Sequence, residues 1–240
     1  MLKIIEKLKE EDLLMNNKEF LYSLLEDSKL EFLSKNMPSF FKYGKQIDTT
    51  AYLSWNFNFS YTRENDFDIM SNAYYECTME LIDKCLKDNS DKKMDTWIFP
   101  ILYNISHSIE LKLKAIYIYQ KGKIEFSKTN HKWLKLIENI KEFYINENDK
   151  ENVSQYKMKM NNQFILSLSI VENFLESFLS QTDDITFMRY PIDKNSNEFF
   201  YNNSEENIVI DLILLRNEFI LSYYLLNFIV EMNYEESSNL

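Results

Sequence analysis

Two glycines and three prolines in 240 residues are the strongest restriction on this chain. Folds made of many strands use both residues at their turns, so such a chain must be built from long elements joined by few tight turns. The expected class is predominantly all-α, a helical bundle. Hydrophobic residues at 45% and charged residues at 27% give the composition of a protein with a core rather than of a disordered chain. One compact body of this length buries roughly 70 to 75% of its unfolded surface, so neither a disulfide nor a metal is needed for stability. We read a single helical domain over 1–240 with an N-terminal helical extension at about 1–65. Cys77 and Cys85 are spaced about 12 Å apart along a helix, too far to bridge, and are expected to be free, buried thiols.

Hydrophobic spacing locates the elements. Residues 3 to 35 carry two helical patterns separated by Met15-Asn16-Asn17. From Asn36 to Asp66 the periodicity fades, and Tyr52 to Tyr61 is aromatic enough for short strands. Asp68 to Leu86 predicts a helix with Ile69, Ala73, Cys77, Leu81 and Cys85 inward and Asp66 or Asp68 as its cap. Pro100 is expected in the first turn of the next helix. Its core face is Leu102, Ile105, Ile109, Leu113 and Ile116, with Gly122 at its end. Shorter and longer helices follow at about His131 to Phe143 and Lys150 to Leu179. Around the polar stretch Lys194-Asn195-Ser196-Asn197, the region near 184–202 reads as a small β-hairpin or paired extended loop. Ser204 or Asn207 is expected to open a terminal helix to about Met232.

Charge and motif absences narrow the function classes. A formal charge of -11 opposes broad attraction to phosphate, so RNA is admitted only through a local basic cleft. Arginine occurs only at Arg63, Arg189 and Arg216. Gly44 and Gly122 cannot make a Gly-rich phosphate loop, and neither a G-x-S-x-G elbow nor an H-E-x-x-H helix is present. Two histidines and two cysteines show no metal-ligand spacing, so no metal and no cofactor are expected. Acidic residues within the first turns argue against a signal peptide, which points to the cytoplasm. Ile208 to Val230 is apolar but interrupted by Asp211, Arg216, Glu218 and Asn227, and reads as a buried helix rather than a membrane span.

Three constellations could carry chemistry. His107, Glu110 and Lys114 share a helical stripe turned away from the core face, a polar groove if functional and otherwise an ordinary surface pair worth about 0.3 to 0.5 kcal/mol. His131 opens the following helix, where the dipole favours a neutral imidazole that can accept a proton. Arg189, Tyr190 and Asp193 lie on a loop braced by Pro191 that could hold a guanidinium toward a carboxylate or phosphate, or lock itself through Glu110 or Asp193. Arg216, beside Asp211 and Glu218, is expected in a buried or interfacial ion pair.

The run from Pro100 through Ile105-Ser106-His107-Ser108-Ile109-Glu110-Leu111-Lys112-Leu113-Lys114-Ala115, the Gly122 exit and His131-Lys132-Trp133-Leu134-Lys135-Leu136 resemble the HEPN superfamily. Arg189-Tyr190-Pro191-Ile192-Asp193 resembles a motif of its prokaryotic members, and the likeness spans roughly Asp68 to Met232. It implies a helical bundle, dimerisation through helix faces, and association with RNA cleavage in antiviral, toxin-antitoxin and CRISPR-linked systems. The family's ribonucleases carry an Arg followed four to six residues later by His, and none of the three arginines has a histidine there. The resemblance therefore implies a noncatalytic protein of a prokaryotic defence or stress module, binding a protein partner or nucleotide-like ligand. Its alternatives are a metal-independent ribonuclease with a nonstandard site, or an antitoxin-like or structural subunit.

Overall fold

The computed structural model describes residues 31, 35, 51, 62–122, 133–180, 185–201 and 208–238. The chain divides into two units, Met1–Leu53 and Ser54–Leu240. In the first, Glu31 and Lys35 are helical and paired one turn apart at 2.6 Å. The strands expected at Tyr52 to Tyr61 lie outside the described residues, as do His131, Lys132, Ser204 and Asn207.

The second unit is a helical bundle of α1 (Arg63–Lys87), α2 (Lys93–Lys121), α3 (Trp133–Asn148), α4 (Gln155–Leu179) and α5 (Leu212–Ser238), with a 3-10 turn at Ile185–Met188. No strand is present among the described residues. α2 is the central element, packing on α1, α3, α5 and the 3-10 turn. Its expected core face is buried throughout: Leu102, Ile105, Ile109, Leu113 and Ile116. Gly122 ends it at φ +72°, donating its N–H to the Ile118 carbonyl at 2.6 Å, a left-handed cap that glycine adopts without steric penalty.

Pro100 does not open α2. The helix starts earlier because Asn89 accepts the Met94 N–H through its side chain at 3.0 Å, and Pro100 sits inside it on the exposed side. There the carbonyl left without a donor faces solvent, which lowers the usual cost of an internal proline.

The inward face of α1 also differs from expectation. Cys77 and Ala73 are exposed, while Ser71, Thr78, Ile82 and Cys85 are buried. A fixed four-residue stride drifts by about 40° per step around a 3.6-residue helix, whereas alternating threes and fours hold one face. Small residues let α1 approach α2 closely. Ser71 Oγ donates to the Ser108 carbonyl at 2.8 Å, and Ser108 Oγ returns a bond to the Ser71 carbonyl at 3.2 Å.

The region near 184–202 is a loop rather than a ladder of strands, with one antiparallel bridge, Ile192 to Glu198. Its first part is the 3-10 turn, since Phe187 and Met188 are both buried and consecutive strand residues point to opposite faces. α5 is opened by Asp211, whose Oδ1 accepts the N–H groups of Ile213 and Leu214. It is not a buried helix: Phe219, Leu226 and Ile229 are sealed in the core, but Ile213, Leu221 and Tyr224 are half or more exposed. Leu212–Glu236 is long and apolar enough to cross a membrane by length and composition, and a third of it is buried in the bundle.

Candidate functional site

His107 and Glu110, one turn apart on α2, and the sequence-distant Arg189 line one small pocket of about 50 Å³ with Tyr103, Ser106 and Ile185. α2 supplies four of the six side chains from two adjacent turns. The 3-10 turn supplies the rest, because Phe187 and Met188 anchor it in the core and leave Arg189 at its end. Arg189 and Tyr190 both donate their N–H to the Thr186 carbonyl, fixing that exit.

The pocket is organised by stacked planar groups. The Arg189 guanidinium lies 5.8 Å from the centre of the Tyr103 ring and 5.4 Å from that of Tyr190. Tyr103 stacks on His107 at 5.6 Å and 10°, as expected for residues four apart on a helix, and Tyr74 of α1 meets His107 edge-on at 4.5 Å. Burial, reinforced by Tyr103 and Cys77, raises the Tyr74 phenol above its ordinary pKa, so this edge stays neutral. Arg189 is exposed and makes no ion pair with any described carboxylate, so it is not locked by Glu110 or Asp193.

Glu110 and Lys114 are not the surface pair their spacing suggested. Lys114 Nζ donates to Glu110 Oε1 at 2.5 Å with both side chains buried, and Trp133 Nε1 donates to Glu110 Oε2 at 3.4 Å. Burial follows from α2 being covered on nearly every side from Ile101 to Ile116. Lys114 thus balances the carboxylate at the base of the pocket, while Trp133, first described residue of α3, ties it to the neighbouring helix.

Tyr190 does not line the pocket; it is exposed, with its ring against the Arg189 guanidinium. Asp193 has a different task. Its Oδ1 accepts the N–H groups of Asn195 and Asn197 at 2.8 Å each, and the Asn197 side chain bonds Oδ2. Those bonds, Asn197's first, hold the carboxyl below the ordinary range. Asp193 builds the turn and does not line the pocket.

The sequence reading missed a second polar cluster on α2. Lys112 is fully buried and its Nζ donates to Asp68, to Asn72 Oδ1 at 2.7 Å and to Asn227 Oδ1 at 3.1 Å. Tyr223 donates its hydroxyl to Asn72, and its ring lies 4.8 Å from Nζ. Burial pulls the Lys112 pKa below its ordinary value, partly offset by Asp68. Asp68 is therefore a partner for lysine rather than the cap of α1. Arg216 pairs across to α1, its Nε donating to Asp83 Oδ1 at 2.7 Å in a partly exposed bridge, not to Asp211 or Glu218. Among the described residues, no group of three His, Cys, Asp or Glu side chains could hold a metal ion.

No family model, curated protein or solved structure matches this chain.

Proposed function

We propose that this chain is a HEPN-like helical protein of a prokaryotic defence or stress module. In this reading it acts in the cytoplasm by binding a nucleotide-like ligand at the pocket between α2 and the 3-10 turn, without cleaving it. The observation that carries this reading is the position of Arg189, exposed, unpaired with any described carboxylate and stacked over Tyr103 at the mouth of a pocket lined by Ser106 and His107. A volume of about 50 Å³ suits a phosphoryl group rather than a whole nucleotide. Arg189 supplies a charge-assisted fork and the exposed Tyr190 ring a face on which a base can stack, while the Ser106 hydroxyl is donated to the Tyr103 carbonyl at 2.8 Å. Lys114 keeps the Glu110 carboxylate from repelling the anion.

Noncatalytic binding is favoured because Glu110 and Lys114, the natural acid-base and charge-stabilising candidates, are committed to one another. Calorimetric titration with adenosine and uridine monophosphates tests it. Saturable binding weakened at least about tenfold in Arg189→Ala is expected, since a hydrogen bond to a charged group contributes about 1.5 to 3 kcal/mol. Absence of binding by the wild-type protein would sink the proposal. RNA cleavage that disappears in His107→Ala would instead favour the ribonuclease reading, for which His107 beside Arg189 is the supporting observation.

Self-association is part of the same proposal. Ile213, Leu221, Tyr224 and Phe228 form one exposed stripe along α5, at the helical spacing that a second protomer's α5 could cover. A dimer by light scattering, converted to monomer by Leu221→Glu, is the expected result. A monomeric wild type at micromolar concentration would remove this part.

A further inference from the structure

A second and larger cavity, sharing no lining residue with the Arg189 pocket, lies where α2, α4, α5, the 3-10 turn and the loop after it meet. Its volume is about 350 Å³. That exceeds the voids left by ordinary close packing and falls in the range of small-molecule sites. Two pairs of phenylalanine rings form its walls: Phe174 with Phe178 at 5.3 Å, and Phe187 with Phe200 at 5.4 Å, both edge to face. Such walls present ring edges and faces to a third aromatic group. Leu214 closes one side, while remaining half exposed at the mouth.

The charge at this mouth is one-sided. The described lining contains Asp211 and Glu218 and no Lys, Arg or His. Asp211 is already committed, its carboxylate accepting two N–H groups at the start of α5 and answering the positive end of the helix dipole. Glu218 stands one turn beyond Leu214 on the same face, is exposed, and pairs with no cation among the described residues. An unneutralised carboxylate beside a phenylalanine-walled cavity favours a ligand with an apolar body and a positive head.

We propose that this cavity is a binding site for a small aromatic amine, its ring held between the two phenylalanine pairs and its ammonium at Glu218. The site is separate from the Arg189 pocket and takes ligands of opposite charge.

The test uses the whole chain and three probes sharing one body: phenylbutylamine, phenylbutanol and phenylbutyrate. Titrations followed by calorimetry should show saturable binding of the amine, about three- to tenfold tighter than the alcohol, with the acid weakest. Glu218→Gln should abolish the preference for amine over alcohol while leaving alcohol binding in place. Leu214→Trp, or Ser177→Phe on the opposite wall, should block all three probes with helical circular dichroism unchanged; the second variant covers the case in which the first unfolds. Lack of saturable binding by any probe, equal binding of amine and acid, or binding that survives both filled cavities would overturn the proposal. Arg189→Ala should leave these titrations unchanged, so this site stands or falls separately from the nucleotide proposal.

Discussion

Lys112 and Lys114 lie two residues apart on α2, and each meets a carboxylate, yet they serve opposite sides of the helix. Lys112 is enclosed by Asp68 and Asn72 of α1 and by Asn227 and Tyr223 of α5. Lys114 meets Glu110 on its own helix, at the base of a pocket that opens past His107 to Arg189. In the first cluster the Lys112 ammonium is answered three times from neighbouring helices, and Asn72 and Asn227 donate to carboxylates on their own helices, so nothing is left to offer a ligand. The second leaves an exposed guanidinium facing a cavity. Burial of a charge on a central helix is thus no guide to function by itself. What distinguishes the two is whether the surrounding groups close on the charge or leave a space beside it.

That contrast can be broken by mutation. Lys112→Ala should lower stability by about 3 to 5 kcal/mol in urea unfolding, because it strands a mostly buried carboxylate and two amides without their cation. A loss under about 1 kcal/mol would mean the cluster is not the seal between α1, α2 and α5 that its geometry indicates. Lys114→Ala should cost less, about 1 to 3 kcal/mol, since Trp133 Nε1 still donates to the Glu110 carboxylate when the lysine is gone.

The pH dependence sharpens the same comparison. The Lys112 pKa is lowered on folding, chiefly by burial, from an ordinary value of 10.5. The unfolded chain therefore holds more protons between the folded and unfolded values, and stability contributed at this residue rises with pH across that window. The penalty for Lys112→Met should be larger at about pH 10 than at about pH 7. A penalty that shrinks over this range would show that the Asp68 ion pair outweighs desolvation. Tyr223 carries the opposite sign. Burial raises its phenol above the ordinary 10.0, so its contribution is complete below that pH and is lost as pH climbs toward the folded value. Tyr223→Phe should flatten the fall in stability above about pH 10.

The smallest expected effect on stability is at Arg189. Its alanine variant should unfold within about 0.5 kcal/mol of wild type, since an exposed side chain stacked on two tyrosines makes no buried polar bond. A larger loss would make Arg189 a brace for the loop.

The helical class was legible from the scarcity of glycine and proline, and the core face of α2 from its regular spacing. His107 and Glu110 were picked out as one helical stripe with Lys114, and Arg189 as part of a separate loop; the fold brings His107, Glu110 and Arg189 to one pocket. Tyr103 could have been added from its position four residues before His107. The Lys112 cluster had no comparable signal, because Asp68, Asn72, Tyr223 and Asn227 are far from it along the chain and each reads alone as an ordinary helix residue. The face of α1 was misjudged because a four-residue repeat of apolar types hid the true three-and-four alternation, in which Ser71 and Thr78 are buried. For α5, apolar residues on most sides called for burial by neighbouring helices or by a second protomer, but an apolar helix looks alike in sequence whether neighbours cover all of it or only part, so the exposed stripe itself was not legible.

The most direct test is a crystal structure of the chain soaked with uridine monophosphate. Phosphoryl density on the Arg189 guanidinium in this pocket, with the base against Tyr190, is the predicted result. Density elsewhere on the protein, or an empty Arg189 pocket at a concentration that saturates binding in solution, would contradict it.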